Sequence, residues 1–302
     1  MIALKQIHIL LTYGCTFECD HCFLYCSPRS RGTFTSERIA VVLDQAKKIG
    51  SVGRICFEGG EPFLYYALMV EGLRLARDMG FQTGVVTNGY WATSEEDAEV
   101  WLRPLVELGI GTLAMSDDAF HGGDGEAVPV KAAIGAAEKL GLPLNVIRIN
   151  DPTPISEADA AGGKGEAIEG GPVRFRGRAV DRLAAGLERR PESTFRECPY
   201  ENLLSPGRIH VDAFGNVHFC QGLSIGNMWE KPLTQLLTEF DAQSHPICGP
   251  LVEGGPALLA RSCGVALQEG YVDACHLCFL TRRSLIDRFP EYLAPRQVYG
   301  LQ

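Results

Sequence analysis

No apolar run in this 302-residue chain approaches the ~18 residues that a membrane-crossing helix needs. A secretion signal is missing too, because Met1–Leu11 is short and carries Lys5 and His8. There is no basic excess. With 28 Lys and Arg against 37 Asp and Glu the formal charge is −9, which disfavours a groove for nucleic acid. Arg174, Arg176, Arg178 and Arg182 form the one notable basic cluster. The glycine-rich stretch Gly162–Gly171 lacks the spacing of a nucleotide phosphate loop and is expected to be a flexible loop at the rim of the fold. What these absences leave is an ordinary globular protein, 46% hydrophobic and 22% charged, expected in the cytoplasm and away from membranes.

Cysteine is plentiful. Eleven in a chain with no export signal argue for metal or redox chemistry rather than a disulfide scaffold. Cys15, Cys19 and Cys22 follow the strand-like run Ile7, Ile9, Leu10, Leu11 with the spacing Cys-x3-Cys-x2-Cys. A cubane iron–sulfur cluster takes four thiolates, so three on one loop leave the fourth iron without a local ligand. An open iron can bind substrate or cofactor, as a catalytic zinc keeps one position free. The alternative is a zinc knuckle with His21 as fourth ligand. His21 adjoins Cys22 and competes badly with it for one tetrahedral ion, and zinc sites usually arrive as two Cys-x2-Cys-like halves.

From Lys5 to about Arg190 short β-rich runs alternate with amphipathic helices. The strands are expected at Gln6–Thr12, Arg54–Phe57, Gln82–Thr87, Gly111–Met115, Leu144–Ile149 and, more weakly, Val173–Phe175. Helices are expected after Ser36 (its N-cap) as far as Gly50, over Leu64–Met79, from Ser94 to Gly109 with a bend or split at Pro104, and over Val130–Leu140. Alternating βα units predict a parallel sheet with functional loops at the strand carboxyl ends, and six units are too few for a closed eight-fold barrel.

The Cys-x3-Cys-x2-Cys loop after a first strand resembles the signature of the radical S-adenosylmethionine (SAM) superfamily. Phe57-Glu58-Gly59-Gly60-Glu61-Pro62, after a second strand, resembles the turn with which that family holds the methionine part of SAM. The resemblance implies a partial (β/α)6 TIM-like barrel over residues 1–190, with Cys15, Cys19 and Cys22 on a 4Fe-4S cluster whose open iron chelates SAM. An electron from the cluster then gives a 5′-deoxyadenosyl radical that abstracts hydrogen. It also implies that His21, Gly59, Gly60, Glu61 and Pro62, with Asn88, Ser116 and Asp118 at later strand ends, bind the cofactor. Asn88-Gly89 is also a common turn and an Asp pair a common helix cap, while His121 is more often a solvated loop residue. Arg176-Gly177-Arg178-Ala179 resembles the Gly-Arg-Ala at the end of this family's sheet.

After Arg190 the character changes. Arg208–Cys220 alternates apolar residues about a Phe-Gly-Asn turn and predicts a hairpin, followed by a turn and a short helix near Leu233–Leu237. Cys198, Cys220, Cys275 and Cys278 resemble the auxiliary-cluster extensions called SPASM or twitch. The full SPASM run Cys-x2-Cys-x5-Cys-x3-Cys is lacking, so one auxiliary 4Fe-4S cluster is expected, in a small α+β domain over 191–302. The same four cysteines would also suit a structural zinc ion. Cys26 and Cys248 are candidate hydrogen donors to a substrate radical, although a buried inert thiol is the commoner fate, and Cys56 and Cys263 have no ligand spacing.

The resemblance implies an enzyme acting on a peptide, as in maturation of ribosomal peptides, or on a small molecule by two-electron oxidation. Its partners would be a reductant such as flavodoxin or ferredoxin and, for a peptide, a separate leader-binding protein, since the first strand leaves no room for a fused one. A non-catalytic zinc- or iron–sulfur-binding protein is the third class, which leaves the Gly-Gly-Glu-Pro turn unexplained.

Overall fold

The structure is a computed structural model that describes residues 2, 4–121, 128–152, 164–165 and 170–301. Most of the glycine-rich stretch therefore lies outside the described residues. The strands are β1 Gln6–Thr12, β2 Arg54–Gly59, β3 Gln82–Thr87, β4 Thr112–Ser116, β5 Leu144–Ile147, β6 Ile149–Asn150, β7 Gly171–Pro172, β8 Arg208–Asp212, β9 Asn216–Cys220 and β10 Leu223–Asn227. The helices are α1 Ser36–Ile49, α2 Tyr66–Asp78, α3 Glu95–Glu107, α4 Val128–Lys139, α5 Ala179–Arg182, α6 Leu233–Glu239, α7 Cys248–Ser262 and α8 Ala274–Leu285.

One sheet of eight strands runs β10-β9-β8-β1-β2-β3-β4-β5. Neighbours from β8 to β5 are parallel, while β9 and β10 return antiparallel. This is the α/β fold of a partial TIM-like barrel. The outer face packs on helices through stripes such as Ile39, Val42, Leu43 and Ala46 of α1, which join Ile7, Ile9, Ile55 and Phe57 in one core. The four leading helices stop beside Gly50, Gly80, Gly109 and Gly141, all with positive φ.

Local expectations needed four corrections. Thr35, not Ser36, caps α1, its side chain accepting from the Arg38 N–H. α3 is not split at Pro104: the proline leaves the Val100 carbonyl without its helical donor, and Val100 is 68% exposed, so water can serve it. Near Val173–Phe175 only the two-residue β7 forms, paired with β6 apart from the main sheet, and the Phe175 N–H goes to Asp273 at 3.2 Å. The sixth parallel strand is instead β8. The hairpin expected in the C-terminal region thereby continues the main sheet on the free edge of β1. Finally, β10 takes the place of the turn expected after Cys220, and α7 and α8 had no counterpart in the expected elements.

Candidate functional site

A cavity of about 1110 Å³ runs along the inner face of the parallel strands. At its carboxyl-terminal end it is walled by Cys15, Cys19 and Cys22, which the loop after β1 carries. Local bonds shape that loop. The Phe17 N–H donates to the Cys15 sulfur (3.5 Å) and the Cys26 N–H to the Cys22 sulfur (3.3 Å). Buried Arg178 donates to the Cys19 carbonyl at 2.7 Å and the Cys26 carbonyl at 2.6 Å. Gly177, at φ +62°, lies so close that a Cβ there would strike the Cys22 carbonyl.

Burial pushes the Cys15 thiol up to about 11 and Cys19 further, whereas the hydrogen bond with the Cys26 thiol draws Cys22 down to about 6. Metal binding here would release protons from the first two. Among the described residues, no set of three His, Cys, Asp or Glu ligand atoms within 4.8 Å of one another includes Cys15, Cys19 or Cys22. Sulfurs on one tetrahedral zinc stand about 3.8 Å apart, given a Zn–S bond near 2.3 Å. The donor set therefore fits a cluster of several irons better than a single ion.

The Gly-Gly-Glu-Pro turn packs directly on this loop. Gly60 N–H donates to the Thr12 carbonyl (2.7 Å) and Glu61 N–H to the Gly14 carbonyl (2.9 Å). A Cβ on Gly59 or Gly60 would collide with the backbone of Thr12 or Gly14, so both glycines are needed for the approach. Gly59 and Gly60 line the cavity. Glu61 is wholly buried instead. Its carboxylate accepts from the Phe63 N–H (3.0 Å), the Thr87 hydroxyl (2.8 Å) and the Asn88 N–H (2.8 Å), and burial pushes it up to about 7. Pro62 is buried at the start of a 3₁₀ turn.

Asn88, Ser116, Asp118, His21 and His121 line the same end of the cavity. Asn88 donates to the Thr16 hydroxyl (3.1 Å), and Asp118 accepts from the His121 ring (2.8 Å) and the Ile149 N–H (3.2 Å). The His21 ring packs at a tilt against Phe120, centroids 4.7 Å apart. Its Nδ1 has no partner, and burial with neighbouring His121 lowers it to about 4. His21, Asp118 and His121 offer atoms within 4.8 Å of one another.

Cys198, Cys220, Cys275 and Cys278 converge on a second, small cavity of about 30 Å³. Cys220 ends β9. Asp273 caps α8 by accepting from the His276 N–H (2.6 Å), which sets Cys275 and Cys278 three residues apart on one face. Two buried guanidiniums, Arg176 and Arg282, donate to the Cys220 sulfur at 3.3 and 3.8 Å. They offer the compensation that a cage of four thiolates needs when buried. No three of these sulfurs fall within 4.8 Å of one another, again wider than one zinc ion accepts. Arg176 lines both cavities.

Cys26 is buried on the wall of the large cavity, whereas Cys248 is wholly buried in the core at the start of α7, away from it. Sequence reasoning missed the wall below the cysteine loop. There Glu58 bonds His8 (2.9 Å) and His210 (3.2 Å), from β1, β2 and β8. Burial pushes Glu58 up, but the two histidines outweigh it and hold the carboxyl well below its usual range. The available signal was alternation: Gln6 and His8, Arg54, Cys56 and Glu58, and Arg208 and His210 stand at every second position of otherwise apolar strands.

Residues 9–150 match the model of the Radical SAM superfamily. Among characterised sequences, the chain is 28% identical over 117 residues to a Bacillus subtilis (strain 168) protein named "Putative peptide biosynthesis protein YydG", covering 39% of this chain and 37% of that one. It is 29% identical over 116 residues to the tungsten-containing aldehyde ferredoxin oxidoreductase cofactor-modifying protein of Pyrococcus furiosus, covering 38% and 31%. The chain thus spans about a third of the length of these curated relatives. The structure resembles that of BtrN in complex with AdoMet and 2-DOIA, with a TM-score of 0.53 and 17% identity over 89% of this chain and 97% of that one. Among the described residues, no helix is long and apolar enough to cross a membrane. Its cysteine loop and glycine turn stand at the carboxyl ends of parallel strands, inside the stretch 9–150 that matches the Radical SAM superfamily.

Proposed function

We propose that the large cavity is the active site, with Cys15, Cys19 and Cys22 holding a 4Fe-4S cluster and Cys198, Cys220, Cys275 and Cys278 holding a second, auxiliary one. The observation that carries this is the convergence of four distant cysteines beside two buried guanidiniums, one of which, Arg176, also walls the large cavity. When bound, the first cluster and SAM supply a 5′-deoxyadenosyl radical. The chain's own part is to bind, orient and exclude water. Gly59 and Gly60 offer main chain to the methionine end of SAM. Asn88, Ser116 and Asp118 offer polar atoms, and His21 offers a ring face. Glu61 and Pro62 serve by fixing the turn, since both are buried beneath it.

The chain then divides into a barrel core over 1–190 and a cluster-binding part over 191–302 whose first strands complete the core sheet. Substrate sits between the two cysteine sets. The Bacillus relative's name supports a peptide, and a second cysteine set joined through Arg176 to the wall of the large cavity supports oxidation of a small molecule. A reductant such as flavodoxin or ferredoxin feeds the first cluster, and a leader-binding protein would present a peptide. A lone zinc at either cysteine set is the competing assignment, and the sulfur spacing speaks against it.

Anaerobic reconstitution tests the proposal. The protein should hold about eight irons and little zinc. With SAM and a reductant it should release 5′-deoxyadenosine. About four irons would remove the auxiliary cluster, and zinc at the first loop would remove the radical chemistry.

A further inference from the structure

The large cavity is not lined evenly. On β1, β2 and β8 the even-numbered side chains share one face, and the registers pair Gln6 with both Arg54 and Arg208. Three adjacent strands therefore set Arg54, Gln6 and Arg208 in one row at the amino-terminal end of the cavity, neighbours about 4.8 Å apart. The next row holds Cys56, His8 and His210, and Glu58 stands above it. From the arginine row to the end of β1 the cavity wall rises roughly 20 Å.

The two guanidiniums are poorly compensated. Arg208 is buried; it reaches Glu201 at 3.3 Å, and its Nε–H has no acceptor. Arg176 draws on the same Glu201 at 3.6 Å, and its Nε–H is likewise unpartnered. Among the described residues no acceptor pairs with Arg54. Its guanidinium lies over Gly84 of β3, where a Cβ would come within 3.1 Å of Nη2, so a missing side chain makes its berth. Glu58, the acid in the rows above, already has both oxygens engaged by His8 and His210. Arg208 is buried and Arg54 half-buried, both line the cavity, and the acid nearest above them is already engaged. Such donors are satisfied by an incoming oxyanion, for which the guanidinium fork is the best-matched side chain.

We propose that this row is the anion-binding end of the substrate site. The substrate carries a carboxylate or a phosphate that docks between Arg54 and Arg208, and its reacting carbon extends toward the cysteine loop. This names a substrate class for the active site proposed above and rests on that assignment.

The test is calorimetric titration of the reconstituted full chain at matched ionic strength, with inorganic pyrophosphate in one arm and succinate in the other. At least one should bind, and Arg54→Gln should weaken it about ten-fold or more, the effect of losing a charge-assisted pair. Binding of pyrophosphate alone assigns a phosphate, and of succinate alone a carboxylate. Arg208→Gln should act in the same direction, but it also strips Glu201 of a partner and can unfold the region. Arg54→Gln releases no acid and is decisive by itself. Binding of neither probe, or equal affinity in Arg54→Gln, overturns the proposal. Iron content and 5′-deoxyadenosine release in the same preparations report separately on the assignment beneath it.

Discussion

Cys15, Cys19 and Cys22 sit on one short loop, whereas Cys198, Cys220, Cys275 and Cys278 are gathered from a loop, a strand end and a helix. The two sets also use arginine differently. Around the first, Arg178 spends its donors on the carbonyls of Cys19 and Cys26 and so fixes the shape of the loop. Around the second, Arg176 and Arg282 point at sulfur and offset its charge. The proposed clusters account for the difference. A first set that leaves one iron open would need its backbone held, since no fourth ligand closes it, whereas a second set of four thiolates would be closed by its ligands and need cations instead.

The hardest way to break this contrast is to remove a ligand from each set. Cys19→Ala should abolish 5′-deoxyadenosine release, measured chromatographically, and cost about four irons. Cys275→Ala should cost about as much iron yet keep some SAM cleavage, while product formation is lost. Full product formation in Cys275→Ala would show that the second set does not serve turnover.

The loop-holding role predicts a stability effect. Arg178→Ala removes two buried charge-assisted hydrogen bonds and should cost roughly 3–5 kcal/mol in urea unfolding, with preferential loss of iron from the first set. An unchanged midpoint would end that account. The pH dependence comes next. Burial raises Glu61 to about 7 from 4.5, so the native chain keeps a proton that the unfolded chain gives up. This contribution is full below about 4.5 and declines as pH rises toward 7, by about 3 kcal/mol at most, then levels off. Glu61→Gln should flatten that slope in stability curves taken across the interval. The smallest effect is electrochemical. Arg282→Gln removes a cation beside Cys220 and should move the auxiliary cluster's potential to more negative values in an EPR redox titration, leaving the first unmoved. A shift of the first alone would reverse the assignment of roles.

What was legible in the sequence follows the same divide. The first set is local, so spacing alone exposed it, and the glycine turn was readable because only glycine tolerates such backbone approach. The strands β1 to β5 were legible from their apolar runs and flanking glycines. β8 was not placed correctly because pairing of strands far apart in sequence leaves no mark on either one, and Val173–Phe175 has strand-like composition but lends its N–H to Asp273. Arg282 looks like an ordinary surface cation until the fold buries it. Glu61 was expected beside the cofactor, and its burial beneath the turn depends on Thr87 and Asn88, which only β3 brings near.

The tripeptide Arg176-Gly177-Arg178 touches Cys220 at one end and the Cys19 and Cys26 carbonyls at the other, with Gly177 wedged against Cys22 between them. On the proposed assignment, loading either centre with iron would tighten a strut that the other leans on. Assembly of the two should be cooperative, and an insertion of one residue in that strut would uncouple them while sparing every ligand.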